Sequence, residues 1–303
     1  MASAARSAAT LALLALLMEL AMRVFSQLQA VVPQAQPGMV GLGAQCLLWF
    51  CAVVVFALPL MLIERLWPGS PEPRRPRQWS RAALFWAAYV PFAVITANLA
   101  PLIATWLGIH PLLDLRLDGW ALQGPGRTLA NLGLLFLALL LLDFFYYWLH
   151  RLQHRLPWLW RFHRAHHANR YVNALSCYHH PLEEILRIPL FILPMAWVFR
   201  IEAPPLILFS GLAAGWAYFC HTDSPIHIGP LRCILTDNRY HRIHHSTDAR
   251  HFDSNFAFYF SLTDRLFGTQ HMPAEDGSVP EVGLSDVASP TSLWALWCMP
   301  FRR

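Results

Sequence analysis

The feature that most constrains this chain is a series of long apolar segments. A helix of about 20 apolar residues crosses the hydrocarbon core of a lipid bilayer. Four segments meet this length, and we predict membrane spans at residues 8–30, 39–63, 82–107 and 128–149. The first span contains Glu19 and Arg23, whose spacing of four residues lets them pair on one face of a helix.

The composition agrees with a membrane protein. Apolar residue types make up 56% of the 303 residues and charged types 14%, whereas soluble domains average about 45–50% and 25%. This balance argues against a soluble enzyme and against a disordered chain. The formal net charge is +5. The arginines lie between apolar runs, so we attribute them to membrane orientation and predict no nucleic-acid partner.

The positions of the arginines predict how the chain is oriented. They are concentrated in 64–81 and 150–184 and are sparse in 31–38 and 108–127. Loops rich in arginine stay on the cytoplasmic side of a membrane. We therefore place both arginine-rich segments and both termini in the cytoplasm.

Two shorter apolar stretches follow, at 185–199 and 204–220. We predict that they form a membrane hairpin that turns at Arg200–Pro205, with both of its ends on the cytoplasmic side. The sequence leaves open whether this hairpin crosses the bilayer or enters it only partly.

These segments predict an all-α fold. It is an integral membrane helical bundle of about four transmembrane helices plus the hairpin, with a cytoplasmic histidine-rich helical cap. Residues 1–270 form one domain in this prediction, and 150–184 and 221–270 form the cap. Residues 271–303 are rich in Pro, Gly, Ser and Asp, so we expect an irregular C-terminal tail.

All basic residues are arginine, which is typical of a GC-rich bacterial genome. We therefore expect a multi-pass protein of a bacterial inner membrane, with its active site facing the cytoplasm.

Three histidine clusters are the second unusual feature of the sequence. Residues three and four apart lie on one face of a helix, so an HxxxH motif presents two imidazoles and an HxxHH motif presents three. Imidazole is a ligand of iron, zinc, copper and nickel. The clusters are His150/His154, His163/His166/His167 and His241/His244/His245.

The number of clustered histidines indicates two metal ions. A first-row ion takes about four to six ligands, so one ion does not use all eight histidines. The six cysteines show no paired spacing typical of a zinc ribbon. Two other kinds of protein remain open at this point. One is a histidine-rich membrane protein that binds or transports metals, and the other is a membrane zinc hydrolase.

The order of these motifs resembles the fatty acid hydroxylase / sterol desaturase superfamily of integral membrane di-iron oxygenases. That family has HxxxH or HxxxxH, then HxxHH, then a hydrophobic hairpin and a second HxxHH. Further matching pieces are His180-Pro181-Leu182-Glu183, Phe219-Cys220-His221 and Asp264-Arg265-Leu266-Phe267-Gly268-Thr269. The resemblance covers about 140–270. It is specific for the superfamily and weakly specific for the substrate.

The resemblance implies a set of metal ligands. Where some members have one more ligand, four residues after His221, this chain has Pro225, which cannot ligate. His179, His227, His251 and His271 lie outside the family pattern, and we expect them to be ordinary polar residues. The implied ligands are His150, His154, His163, His166, His167, His180, His221, His241, His244 and His245.

Two carboxylates are candidates for supporting the ligands. Asp143 lies one heptad before His150, inside an apolar run. It either fixes a ligand imidazole by hydrogen bonding or packs one helix against another. Glu183 and Glu184 follow the His180-Pro181 motif. We expect one of them, with Glu183 as the candidate, to support the metal ligands and the other to be solvated.

The resemblance implies an oxidoreductase with two iron ions that uses O2 to hydroxylate or desaturate a C–H bond of a lipid such as a fatty acid or sterol. The sequence does not identify the lipid. External electrons are needed, and the chain has no motif for a flavin, haem or iron–sulfur cofactor. We therefore expect a separate electron donor, a ferredoxin or small cytochrome with its reductase. The predicted docking face consists of Arg151, Arg155, Arg161, Arg164 and Arg170.

Overall fold

The computed structural model describes residues 39–70, 76–115, 124–201, 214–274 and 277–302, with seven further positions between 12 and 27. The predicted span 8–30 therefore lies largely outside the described residues. Its described positions are all helical, and Arg23 donates to Glu19 at 2.6 Å, as the spacing of the two residues predicts.

Three long apolar helices coincide with the other three predicted spans. Helix α1 comprises Met39–Leu66, α2 comprises Pro76–Trp106 and α3 comprises Gly124–Arg155. Each is long and apolar enough to cross a bilayer, as expected of a membrane protein. Helices α1 and α2 pack against each other through buried apolar side chains, among them Phe56, Leu60, Phe85 and Val94.

The first limb of the predicted hairpin is a helix interrupted by one wide turn. It consists of α5 (Pro181–Arg187), a π-helical turn (Ile188–Ile192) and α6 (Leu193–Val198). Pro189 lies inside the wide turn. A proline has no amide proton and obstructs the preceding turn, so it favours such a local widening. At 1.5 Å per residue, the limb is about 27 Å long.

Two short parallel strands show where this limb ends. Strand β1 (Leu113–Leu115) lies in the connection between α2 and α3. Strand β2 (Phe199–Ile201) directly follows α6 and pairs with β1. The limb therefore extends from the histidine-bearing end of the bundle to its opposite end. These strands are a departure from the predicted all-α fold. The predicted turn at Arg200–Pro205 lies mostly outside the described residues, and the second limb is described only at 214–220, which is helix α7.

The segments that carry the histidines meet at one end of the three long helices. Glu64, near the end of α1, is 1% exposed and accepts backbone N–H bonds from Ala174 (2.7 Å) and Asp223 (2.8 Å). The hydroxyl of Ser70 donates to the carboxylate of Asp223. The arginine-rich segments 64–81 and 150–184 therefore lie on the same side of the bundle, as their composition predicts.

Short helices and turns form the cap at this end. They include α4 (Pro157–His167), α8 (Asn238–His244) and α9 (Ser261–Leu266). The C-terminal segment returns to the bundle as α10 (Leu293–Cys298), which is followed by a 3-10 turn, Met299–Phe301. In the described part of the predicted irregular tail, 271–303, helical turns occupy 293–301 and the preceding residues contain no helix.

Candidate metal centre

Three helices carry the clustered histidines to one place. His150 and His154 occupy the last turns of α3. Helix α4 begins at Pro157, which is favoured at the first helical position because it has no amide proton to leave unpaired. Helix α8 is capped by Asp237, whose side chain accepts from the backbone N–H of Tyr240 at 2.9 Å. The spacing of three and four residues then directs the imidazoles of each helix to one face.

The histidines form two adjacent groups, and the candidate ligand atoms within each lie within 4.8 Å of one another. His167 of one group stacks on His245 of the other with ring centres 4.4 Å apart. Group 1 is His150, His154, His163, His167 and His244, and group 2 is His166, His221, His241 and His245.

The Nε2 atoms within each group lie at the separation of two ligands on one ion. In group 1, Nε2 of His163 is 3.1 Å from that of His150 and 3.2 Å from that of His167. In group 2, Nε2 of His221 is 3.1 Å from those of His166 and His241. Nitrogens bound at about 2.0–2.1 Å to one ion lie about 3 Å apart.

Backbone carbonyls determine which nitrogen carries the proton. In group 2, Nδ1 of His166 lies 3.0 Å from the oxygen of Tyr178, and Nδ1 of His221 lies 2.8 Å from that of Ala217. A carbonyl oxygen only accepts, so both Nδ1 atoms are protonated and both Nε2 atoms present lone pairs.

The same arrangement recurs in group 1. Nδ1 of His150 lies 2.9 Å from the oxygen of Phe256, and Nδ1 of His244 lies 2.8 Å from that of Ser254. Nε2 of His244 is buried without a hydrogen-bond partner. Each group therefore contains two histidines whose unprotonated Nε2 is directed at the other ligands.

These lone pairs are suited to binding a cation. Burial, reinforced by neighbouring histidines, lowers the pKa of His163, His166 and His167 well below the usual value of the side chain. Burial also lowers the pKa of His221 and His244 to about 4. The imidazoles are thus neutral near pH 7, and lone pairs about 3 Å apart repel unless a positive ion lies between them. The residues present therefore fit two first-row metal ions.

A segment after α8 supplies two of the orienting carbonyls. Asp253 and Asn255 both have left-handed backbone conformations, with φ of 57° and 58°. Such angles are costly for residues other than glycine, but Asp and Asn tolerate them best. They flank Ser254, and the resulting bends direct the carbonyls of Ser254 and Phe256 at His244 and His150. The side chain of Asn255 holds the segment by donating to the oxygens of Tyr240 and His271.

Asp143 acts on this segment and on no imidazole. Its Oδ1 accepts the backbone N–H groups of Phe258 (2.8 Å) and Tyr259 (2.6 Å), and its Oδ2 accepts the hydroxyl of Thr263. The bond to Thr263 joins α3 to α9, which is the helix-packing role considered from the sequence. Asp143 connects α3 to the loop that presents the Phe256 carbonyl to His150.

Asp264 holds the same loop from α9. It accepts the N–H groups of Phe256 (2.8 Å) and Ala257 (2.9 Å) and the hydroxyl of Tyr240. Burial raises its pKa to about 6. The sequence drew attention to Asp264 only as part of a matching motif, and its role in orienting the loop was not predicted.

Glu183 approaches the candidate ligand His163 directly. Its Oε2 lies 3.5 Å from Nδ1 of His163, and its Oε1 accepts from Gln153 at 2.8 Å. Burial raises the pKa of Glu183 to about 7, while Arg187 acts in the opposite direction. Glu184 is also mostly buried and pairs with Arg187 at 2.7 Å, so neither glutamate is solvated.

His180 lies outside both groups, although the sequence resemblance includes it among the ligands. Its Nδ1 accepts from the backbone N–H of Leu182 (3.2 Å) as the cap of α5, and its Nε2 lies 3.3 Å from the oxygen of Trp297. Its neighbour His179, which we expected to be an ordinary polar residue, forms a third cluster with His163 and Glu183. The ring of His179 stacks on His166 with centres 4.2 Å apart.

The remaining sequence predictions concern residues away from the groups. Group 2 has four histidines where group 1 has five. His251 and His271 contact each other with ring centres 4.6 Å apart, outside both groups. His227 is outside them as well and accepts from the backbone N–H of Gly229.

Comparison with known proteins identifies relatives whose names describe enzymes that act on lipids. An alkylglycerol monooxygenase of Danio rerio is 30% identical over 162 residues, 53% of this chain and 35% of the relative. An ornithine lipid hydroxylase of Rhizobium tropici is 27% identical over 265 residues, 85% of this chain and 77% of the relative. A cholesterol 25-hydroxylase-like protein of Danio rerio is 28% identical over 223 residues, 71% and 86% of the two chains.

The chain spans about a third of the length of the alkylglycerol monooxygenases that it matches. No solved structure matches the chain significantly.

The profile of one protein family matches the part of the chain that contains the candidate metal centre. The family is described as fatty acid hydroxylase, and the match covers residues 135–269. This region includes all nine histidines of groups 1 and 2, the supporting carboxylates, and the loop that orients His150 and His244. This part of the chain is therefore similar to the fatty acid hydroxylase family, which supports the resemblance found in the sequence.

Proposed function

We propose that this protein is a membrane-bound di-iron oxygenase that uses O2 to hydroxylate a C–H bond of a membrane lipid. The observation that carries the proposal is the pair of histidine groups, in which Nε2 lone pairs of neutral imidazoles face one another at about 3 Å. Groups 1 and 2 each hold one iron ion in this proposal. When bound, the two ions supply the O2-derived oxidant that attacks an unactivated C–H bond.

The residues of the chain bind and orient the ions. We replace His180 by His179 as the candidate tenth histidine, because His179 lies beside His163 and His166 while both nitrogens of His180 face other partners. Oε2 of Glu183 lies 3.5 Å from Nδ1 of His163, beyond hydrogen bonding, where a negative carboxylate would favour a proton on Nδ1 and a free lone pair on Nε2. The carbonyls of Tyr178, Ala217, Ser254 and Phe256 do the same for four further ligands.

An aromatic layer supports a lipid substrate that reaches group 1 from the bilayer. Tyr146 of α3 lies one turn before His150, with ring centres 5.3 Å apart. It packs against Phe191 of the hairpin (6.3 Å) and Phe258 of the orienting loop (5.1 Å). These rings exclude water from the membrane-facing side of the ligands and form an apolar surface for an acyl chain or ring system.

The names of the relatives favour hydroxylation over desaturation and an intact membrane lipid as substrate. They include an alkylglycerol monooxygenase and an ornithine lipid hydroxylase. We place the site on the cytoplasmic face of a bacterial inner membrane, because the arginine-rich loops lie at the histidine-bearing end of the bundle.

Two other functions receive less support. A zinc hydrolase needs three or four protein ligands and a water, which leaves most of the nine grouped histidines without a role. A metal transporter would have ligands near the middle of the membrane, whereas groups 1 and 2 lie at one end of the long helices.

Lipid analysis tests the proposal directly. Membranes of a bacterium that expresses the protein should contain a lipid one oxygen atom heavier than its precursor, detected by mass spectrometry. His166→Ala and His244→Ala should abolish the product and lower bound iron, because each removes a ligand whose tautomer is fixed by a carbonyl. His271→Ala is the matched control and should retain the product, since His271 contacts only His251 among the histidines. Full activity of either ligand variant would contradict the assignment.

A further inference from the structure

A cleft connects group 1 with the surface of the cap. It has a volume of about 310 Å³ and is lined by three group 1 ligands, His154, His167 and His244. Phe252, which is 60% exposed, forms part of its rim. No histidine of group 2 lines this cleft. Group 1 is therefore the part of the centre that is closest to a partner docked here.

Trp160 lies between this cleft and the ligands. Its indole ring is 4.9 Å from the ring of His154 and 5.4 Å from that of His167, measured between centres. The residue is half-buried and lines the cleft. Trp158, two residues earlier on α4, is 49% exposed. Within the described part of the chain, it makes no ring contact with a histidine.

This arrangement suits electron transfer. The rate of electron tunnelling falls exponentially with distance, so a donor reaches a buried metal fastest where a ligand is nearest the surface. An indole ring in contact with two ligand imidazoles fills the gap between them and a docked cofactor with a π system. The aromatic layer at Tyr146 lies on another side of group 1, toward the hairpin.

The structure leaves fewer arginines available for docking than the sequence predicted. Arg151 donates to the hydroxyl of Tyr147, Arg164 to the oxygen of Met299, and Arg170 to that of Leu284. Arg164 and Arg170 thus join the cap to the C-terminal segment, while the bond of Arg151 lies within α3. Two remain more available, and both lie near Trp160 in sequence. Arg161 is exposed, and Arg155 is largely exposed, with Asp253 of the cleft 3.5 Å away. Such an exposed pair contributes little to stability.

We propose that a one-electron carrier protein, a ferredoxin or small cytochrome, docks over this cleft and that Trp160 conducts its electrons to group 1. This inference rests on the proposed function. In each encounter the carrier would lose one electron, and an oxidised ion held by group 1 would accept it. Two encounters supply the two electrons that one hydroxylation requires. Arg155 and Arg161 attract the acidic surface of the carrier and raise the rate of encounter.

Stopped-flow reduction tests the role of Trp160. The oxidised, iron-loaded protein is mixed without O2 with the faster of two reduced carriers, a [2Fe–2S] ferredoxin or a small cytochrome. Trp160→Leu should slow reduction about tenfold, equivalent to ~1.4 kcal/mol in activation free energy, and Trp160→Phe should slow it less. Trp158→Leu is the matched control and should reduce at the unsubstituted rate. Reduction by dithionite should be unchanged in all variants.

The iron content separates the possible failures. If the unsubstituted protein binds no iron, the proposed function is wrong. If it binds iron and Trp160→Leu is reduced as fast as Trp158→Leu, only the present inference is wrong. Loss of iron from Trp160→Phe would also overturn the inference, because the ring would then be part of the ligand support. Arg155→Glu and Arg161→Glu should lower the second-order reduction rate and weaken its dependence on salt.

Discussion

Replacing Asp143 tests how α3 controls the geometry of group 1. The side chain of Asp143 is fully buried and accepts two short backbone N–H bonds, from Phe258 and Tyr259, and the hydroxyl of Thr263. In Asp143→Ala these donors lose their acceptor. A buried donor without a partner costs about 1–3 kcal/mol. The two N–H groups alone therefore lower the free energy of unfolding by about 2–6 kcal/mol, while the Thr263 hydroxyl can rotate toward another acceptor.

Asp143→Asn provides a matched comparison. The amide oxygen still accepts from the backbone, and the new NH2 group can donate to Thr263, whose hydroxyl turns to accept. The free energy of unfolding then falls only by the difference between a charged and a neutral hydrogen-bond acceptor, about 1–2 kcal/mol. Asp143→Ala should also release bound iron, because the loosened loop no longer presents the Phe256 carbonyl to His150. Asp143→Asn should retain most of the iron.

Thermal unfolding in detergent and iron content by mass spectrometry measure both effects. The order of stability should be unsubstituted, then Asn, then Ala. An unchanged unfolding midpoint in Asp143→Ala would refute the role of the loop contacts. Normal stability combined with loss of iron in Asp143→Asn would instead indicate direct action of the carboxylate on an imidazole.

Two further substitutions test the support of the ligands. Glu183→Gln should weaken iron binding by about 10–100-fold, measured by chelator competition. Glu184→Gln should leave iron binding unchanged, because Glu184 pairs with Tyr89 and Arg187. Equal effects of the two substitutions would contradict the contact between Glu183 and His163. Asn255→Ala should destabilise the protein by about 1–2 kcal/mol more than Asn255→Gly, since both lose the side-chain bonds but only alanine strains the left-handed backbone. Thermal unfolding measures the difference between the two Asn255 variants, and equal unfolding midpoints would refute the role of the left-handed backbone.

The ligand spacing was the part of the site most readily predicted from the sequence. Residues three and four apart on a helix share a face, so the two HxxHH motifs and HxxxH indicated eight ligands before any tertiary information. His221 came from the family resemblance. The structure brings all nine together in groups 1 and 2. His179 and His180 show the limit of this reasoning. They are adjacent, precede Pro181 and have the same chemistry, and only the backbone conformation before α5 decides which one faces His163.

The orienting groups were not predictable because most belong to the backbone. Every residue carries a carbonyl, so nothing in the sequence distinguishes Tyr178, Ala217, Ser254 and Phe256 as partners of imidazoles. The left-handed conformations at Asp253 and Asn255 left only a weak signal in residue type. The three long helices were predicted because their apolar runs are uninterrupted. The pairing of β1 with β2 was not, since three-residue strands more than 80 residues apart leave no periodic pattern.

The metal content of the purified protein tests the central claim most directly. Elemental analysis combined with Mössbauer spectroscopy of the protein, purified in detergent from cells grown on ⁵⁷Fe, gives the identity and number of the ions. The two histidine groups predict two iron ions per chain, with bound iron lowered and O2 uptake lost when His166 or His244 is replaced by alanine. A single zinc ion per chain, with no substrate-dependent O2 consumption, would contradict the account.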